Sequence, residues 1–136
     1  MDVIWVHLDA VSRTHPVFGR SPDARAVFVW DAADLERRGW TLKRCVFLHE
    51  CVTAMDVEIV AGDPVDVLSS LGADRVLCAE TPNPALQAVM DALPGEVVRV
   101  AARPFTDVPA NTDMGRFFRF WNSAKRSALR RTDEIA

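Results

Sequence analysis

The sequence predicts an α/β domain in which one parallel sheet is covered by helices on both faces, and three observations predict it. Strand-length apolar runs recur five times and are nearly continuous in hydrophobics, as strands buried on both faces must be. Segments with helical spacing or helix-start signals separate them. Two of those starts join a capping residue to a proline at the first helical position, Asp63-Pro64 and Asn83-Pro84. Strands joined through helices make right-handed crossovers. The expected architecture is therefore a Rossmann-like three-layer αβα sandwich over residues 1–136, a single domain with a five-stranded parallel sheet in the order 3-2-1-4-5.

The elements follow in order. "VIWVHL" (3–8) is the first strand, and the polar loop after it holds Asp9, Ser12, Arg13, Thr14 and His15, closed by Pro16. "AVFVWD" (26–31) is a second strand, rich in β-branched and aromatic residues. "TLKRCVFLHECVTAM" (41–55) fits a helix: Leu42, Cys45, Val46, Leu48, His49 and Val52 recur near helical spacing, with Thr41 as N-cap. "VEIVAG" (57–62) is the third strand. A short helix, "PVDVLSSLG", follows and stops at Gly72. "DRVLCAE" (74–80) is the fourth strand, "NPALQAVMDALPG" (83–95) a helix stopped by Pro94-Gly95, and "EVVRVA" (96–101) the fifth strand. The last helix is expected over about 113–131. There Phe117, Phe120, Trp121, Ala124 and Ala128 make one apolar face, with Arg119, Lys125, Arg126 and Arg130 mostly elsewhere.

Hydrophobic content of 49% with 26% charged residues suits a globular protein. No apolar run is long enough to cross a bilayer, and "MDVIWVHLD" has an acid where a signal peptide needs basic residues. A cytoplasmic location, with no membrane partner, is the expectation. Cys45, Cys51 and Cys78 form no CxxC and no zinc spacing, so buried free thiols are expected and no metal site. The net charge of −3 hides an asymmetry: residues 114–131 carry six basic and no acidic side chains, leaving ten basic against nineteen acidic elsewhere. An acidic body argues against strong nucleic-acid binding, because attraction to phosphates is a whole-surface effect.

In parallel sheets of this kind ligands sit beyond the carboxyl ends of the strands. That rim gathers the first loop, Asp31, the Gly62-Asp63-Pro64 turn and Glu80-Thr81-Pro82. Asp9 is placed to accept from a ring N–H or a ribose, or to cap its own loop. Ser12 and Arg13 suit a phosphate or plain solvent. Trp30 faces the same rim, but strand alternation places one of Phe28 and Trp30 in the core. Lys43 and Arg44 occupy the first turn of a helix, where cations oppose the dipole by ~0.3–1 kcal/mol each; an anionic ligand or a nearby carboxylate there would offset that cost. No Gly-x-Ser-x-Gly elbow accompanies Ser12 and the histidines, and "HECVT" lacks the second histidine of a zinc-protease helix.

"WVHLDAVSRTHPVF" is similar to the opening strand and loop of the DNA photolyase and cryptochrome family, W-F-R-R-D-L-R-L-x-D-N-P-A-L, keeping Trp5, Asp9 and Pro16 in register. "AVFVWD" resembles the family's second strand and "RCVFLHECVTAM" its Arg-x-x-F-L-x-x-x-L helix. "VEIVAGDPVDVLSSLGADRVLCAE" resembles its strand–Gly-Asp-Pro–helix–strand unit, and "RFFRFW" its F-x-x-F-W segment. Against that pattern, His7, Leu8 and Val11 stand where the family has arginines, and Ala79 stands at a chromophore-binding asparagine. The resemblance implies the N-terminal α/β domain that holds an antenna chromophore: a flavin, deazaflavin or folate. Asp9, Ser12, Arg13, Asp31, Lys43, Arg44, Glu80 and Thr81 are then the candidate contacts. The family's helical FAD domain has no counterpart in these residues, so binding and energy transfer to a separate FAD-containing photolyase-type protein are expected rather than catalysis. Two other expectations compete: a ligand-free interaction module, such as a homodimer, and a nucleotide binder resembling universal stress proteins.

Overall fold

The structure, a computed structural model, describes residues 1–129. The chain forms two compact units, one spanning Met1–Ala102 and one beginning at Arg103. In the first unit five strands, β1 (Asp2–Val6), β2 (Arg25–Trp30), β3 (Glu58–Ala61), β4 (Arg75–Ala79) and β5 (Glu96–Val100), make one sheet in the order β3-β2-β1-β4-β5. Every pairing is parallel. This is the predicted α/β sandwich with the predicted strand order.

Side-chain alternation along the strands divides the interior in two. Val3 and Trp5 of β1, Val27 and Val29 of β2, and Val76 and Cys78 of β4 build one core. Leu68 of α4 (Pro64–Ser70) and Leu86 and Met90 of α5 (Pro84–Ala92) close it. Ile4, Val6, Phe28 and Leu77 point the other way. They meet Val17 of α1 (Val17–Arg20), Leu35 of α2 (Ala32–Arg37) and Leu48 and Val52 of α3 (Leu42–Ala54). Central strand β1 is thus apolar toward both layers. Phe28 and Trp30, two residues apart, share the second core.

Helix starts obey their caps. The Thr41 hydroxyl accepts from the Arg44 N–H, the Asp63 carboxylate from Val65 and Asp66, and the Asn83 amide oxygen from Ala85. Gly72 ends α4 with φ +61°, the left-handed conformation a side chain resists. Gly62 is required twice over: its φ is +147°, and a Cβ there would lie 2.9 Å from Val67 Cγ2. It turns the chain from β3 into the Asp63 cap.

Two helices lie beyond the expected set, α1 and α2. The second is announced by Asp31, whose carboxylate caps it by accepting from the Asp34 N–H. In α3 the inward stripe is Cys45, Leu48, Val52 and Met55 just past its end, whereas Leu42, Val46 and Phe47 are exposed. Helical period alone allows either stripe. The cysteines are free; Cys78 is buried and Cys45 and Cys51 half-buried.

The second unit contains α6 (Phe117–Ala128). Ala124 is buried there, Phe120, Trp121 and Ala128 are half-buried, and Phe117 is exposed while stacking on Trp121 with ring centroids 6.1 Å apart. Arg119 pairs with Asp113. The Asp107 N–H donates to the Ser127 hydroxyl, which in turn donates to the Ala124 carbonyl. Arg130 and Arg131, included in the expected helix, lie outside the described residues. No described helix is long and apolar enough to cross a membrane.

Candidate functional site at the carboxyl rim

Beyond the carboxyl ends of β1 and β2 the first unit holds a cavity of about 190 Å³. Its apolar wall comes from Trp5 and Leu8, Phe28 and Val29, Leu35 of α2, Leu48 of α3, and Leu86 and Val89 of α5. Polar groups punctuate that wall: His7, Asp31, Asp34, Arg37, Arg38 and Asp63. Apolar walls with a few placed polar groups are the usual construction of a small-molecule site.

The polar groups are already engaged with the fold. Asp34 receives Arg38 Nε at 2.6 Å and Arg37 Nη2 at 3.4 Å. Asp31 and Asp63 cap α2 and α4. His7 is 2% exposed, and each ring nitrogen has a partner. Its Nδ1 accepts from the Asp9 N–H at 3.3 Å, so Nε2 carries the proton and donates to the Ala79 carbonyl at 2.9 Å. Burial holds its pKa below the ordinary imidazole value, partly opposed by that carbonyl and by Asp9. The ring meets Trp5 edge-on at 5.3 Å.

This histidine begins a chain of hydrogen bonds joining the ends of β1 and β4. The buried Thr81 hydroxyl donates to Asp9 Oδ2 at 2.5 Å and accepts from the Asn83 N–H at 3.1 Å. Gln87 Nε2 donates to the Thr81 carbonyl at 2.9 Å. The rim between these two strands is stapled by neutral and charge-assisted bonds rather than left loose.

The eight candidate contacts divide accordingly. Asp31 lines the cavity. Asp9 and Thr81 are joined to each other next to it, through His7. Glu80, beyond β4, has an exposed side chain while its N–H donates to the Val100 carbonyl. Ser12 shares a hydrogen bond with Thr14 inside the loop. Arg13 reaches away from the cavity, donating to the Met55 carbonyl at 2.6 Å and the Asp56 carbonyl at 2.7 Å, with its guanidinium 4.7 Å from the Phe18 ring. It covers the end of α3, where carbonyls lack helical partners and a cation suits the dipole. Lys43 and Arg44 lie in the first turn of α3, outside the cavity wall, and Arg44 stacks 3.9 Å above the Trp40 ring. That contact offsets the dipole cost without any anion.

Four wall residues, Asp34, Leu35, Arg37 and Arg38, belong to α2 and its C-cap, a helix outside the expected set. Its signal was legible: Asp31 as cap, Asp34 in the first turn, Arg37 in the last and Gly39 beyond. The loop after β1 largely satisfies itself. Ala10 bonds back to His7, His15 to Ser12, and Val17 N–H donates to His15 Nδ1. His15 Nε2 is buried with no hydrogen-bond partner. Among the described residues no three of His, Cys, Asp and Glu gather as a metal site. Burial pushes the Cys78 thiol up to about 11, which keeps it protonated and unreactive. Comparison with known proteins finds no family model that matches the chain and no curated relative.

Proposed function

We propose that this protein binds a flat aromatic ligand of the flavin, deazaflavin, folate or nucleotide class at the carboxyl rim of its sheet. In this reading it serves as a pigment module for a separate FAD-containing photolyase-type protein. The observation that carries the reading is the cavity bounded by Trp5, Phe28, Leu86 and Val89, with Asp31 and Asp63 on its polar side. Aromatic and branched walls hold a ring system through area and shape, and the polar groups set its orientation. The residues' work is binding, orientation and exclusion of water. His7 has no nitrogen left to serve as a base, so no bond chemistry is assigned to the chain.

Purification in the dark, followed by an absorbance scan through the near-ultraviolet and blue and mass spectrometry of released small molecules, tests this directly. Titration with flavins, a deazaflavin, a reduced folate and an adenine nucleotide should give saturable binding of at least one. Ala85 is exposed at the cavity, and Ala85→Trp should weaken that binding by about tenfold or more, as loss of ~1.4 kcal/mol does. A colourless protein that ignores all four ligand classes defeats the proposal.

A second reading, a homodimer, is favoured by the outward face of α3. Leu42 is 81% exposed, Phe47 67% and Val46 49%, an apolar group on one helix. Light scattering of the wild type against Phe47→Asp decides it: a dimer that the variant converts to monomer supports the interface.

A further inference from the structure

Parallel sheets that bind phosphates do so with free N–H groups at helix starts beside the carboxyl rim. Here the chain's own capping side chains take up some of those donors. At α4, Asp63 Oδ1 accepts from Val65 at 2.9 Å and Asp66 at 3.2 Å, and Pro64 has no N–H to offer. At α5, Asn83 Oδ1 accepts from Ala85 at 3.1 Å, again behind a proline. At α2, Asp31 Oδ1 accepts from Asp34 at 3.0 Å. Two of the three caps bring a negative charge to the cavity wall. The two cations on that wall, Arg37 and Arg38, both turn to Asp34. Three carboxylates therefore face two guanidinium groups that one of them already holds.

Size adds a second constraint. At about 190 Å³ the cavity is smaller than the roughly 300–1,000 Å³ of sites that enclose a whole drug-sized ligand. It takes one ring system, and whatever the ring carries lies at the mouth among Asp31, Asp63 and the Asp34–arginine cluster.

We infer that this cavity selects an uncharged or cationic ring-bearing ligand and rejects its phosphorylated counterpart, because two of its helix starts are capped by carboxylates of the chain itself and a third carboxylate, Asp34, holds its cations. The inference rests on the reading of the rim as a ligand site and narrows the ligand within it. A phosphate monoester brings a charge of about −1.5 to −2 at neutral pH. It would displace neither cap, since each is covalently placed and already hydrogen-bonded.

Two matched pairs differing by one phosphate test this: riboflavin against FMN, and adenosine against AMP, titrated into the full chain at low salt. The non-phosphorylated member of the tighter pair should bind about tenfold or more tightly than its phosphate, the preference shrinking as salt screens the wall. Asp31→Asn and Asp63→Asn keep a capping oxygen and remove the charge. Whatever their combination does to riboflavin affinity itself, it should narrow the riboflavin-to-FMN ratio several-fold, because only FMN carries the charge that the two carboxylates repel. FMN or AMP binding as tightly as its partner, or a gap untouched by the asparagine variants, overturns the inference while the rim reading stands. Binding by none of the four compounds overturns the inference together with the flavin and nucleotide branches of that reading; its folate branch is judged by the folate titration above.

Discussion

The two ends of the sheet are built in opposite ways. At the amino end, cross-strand ion pairs tie neighbouring strands at their first residues. Arg25 of β2 holds both oxygens of Glu58 of β3 at 2.7 Å, and Arg75 of β4 holds both oxygens of Asp2 of β1 at 3.0 and 2.6 Å. The amino terminus itself pairs with Asp74. At the carboxyl end, the strands part around a cavity, and the bonds that join them run through buried His7 and Thr81. Exposed ion pairs close an edge with little stability at stake, because water screens them. Buried hydrogen bonds fix geometry at a higher stake, because each partner lost leaves another unsatisfied. The end proposed to hold a ligand is the end where geometry is held by buried groups.

That contrast can be broken by mutation, and the largest effect is expected where core and cavity share a residue. Trp5 is 3% exposed, belongs to the core beneath α4 and α5, and lines the cavity. Trp5→Ala should cost about 3–5 kcal/mol by urea unfolding. A loss under a third of that would show the two ends to be less different than the packing says.

His7 comes next. His7→Leu leaves the Ala79 carbonyl and the Asp9 N–H without their partner and should cost about 1–3 kcal/mol. The same residue sets a pH dependence. Its folded pKa lies below 6.5, so the unfolded chain takes up the proton first. Its contribution to stability is complete above pH 6.5 and is lost as the pH falls from there through the lower folded value. His15, also lowered by burial and then by His7, adds to the same slope. Urea midpoints measured downward from neutral pH should decline less in His7→Leu than in the wild type. Parallel declines would remove His7 from the account.

Thr81→Val sharpens the comparison at smaller scale. It deletes the hydroxyl that joins Asp9 to the start of α5 and should cost about 0.5–1.5 kcal/mol, with ligand affinity falling alongside stability. The smallest effect belongs to the amino end. Hydrogen bonding to Arg25 lowers the Glu58 pKa, and hydrogen bonding to Arg75 lowers that of Asp2. Glu58→Gln should shift the urea midpoint slightly at low salt, and at about 1 M salt, where the Debye length is about 3 Å, the shift should vanish. Ligand binding should not change. A large, salt-resistant loss in that variant would overturn the division of labour between the two ends.

Sequence by itself determined the layers, the strand order and the starts of three of the six described helices, α3, α4 and α5. Those features rest on short-range physics: hydrophobic period within a segment, a capping oxygen two or three residues before its donor, a proline or glycine at a fixed offset. Asp63, Asn83 and Thr41 cap as their neighbours dictate, whatever the rest of the chain does. Only the tertiary structure decided which of two apolar stripes on α3 turns inward, and that Arg13 closes the end of that helix, 42 residues away, rather than facing a ligand. It also decided that Asp9 meets Thr81 across 72 residues. The cavity wall is assembled from six segments, and no local pattern in any one of them encodes the others. Its charge and size follow from packing, which sums contacts between parts that the sequence keeps apart.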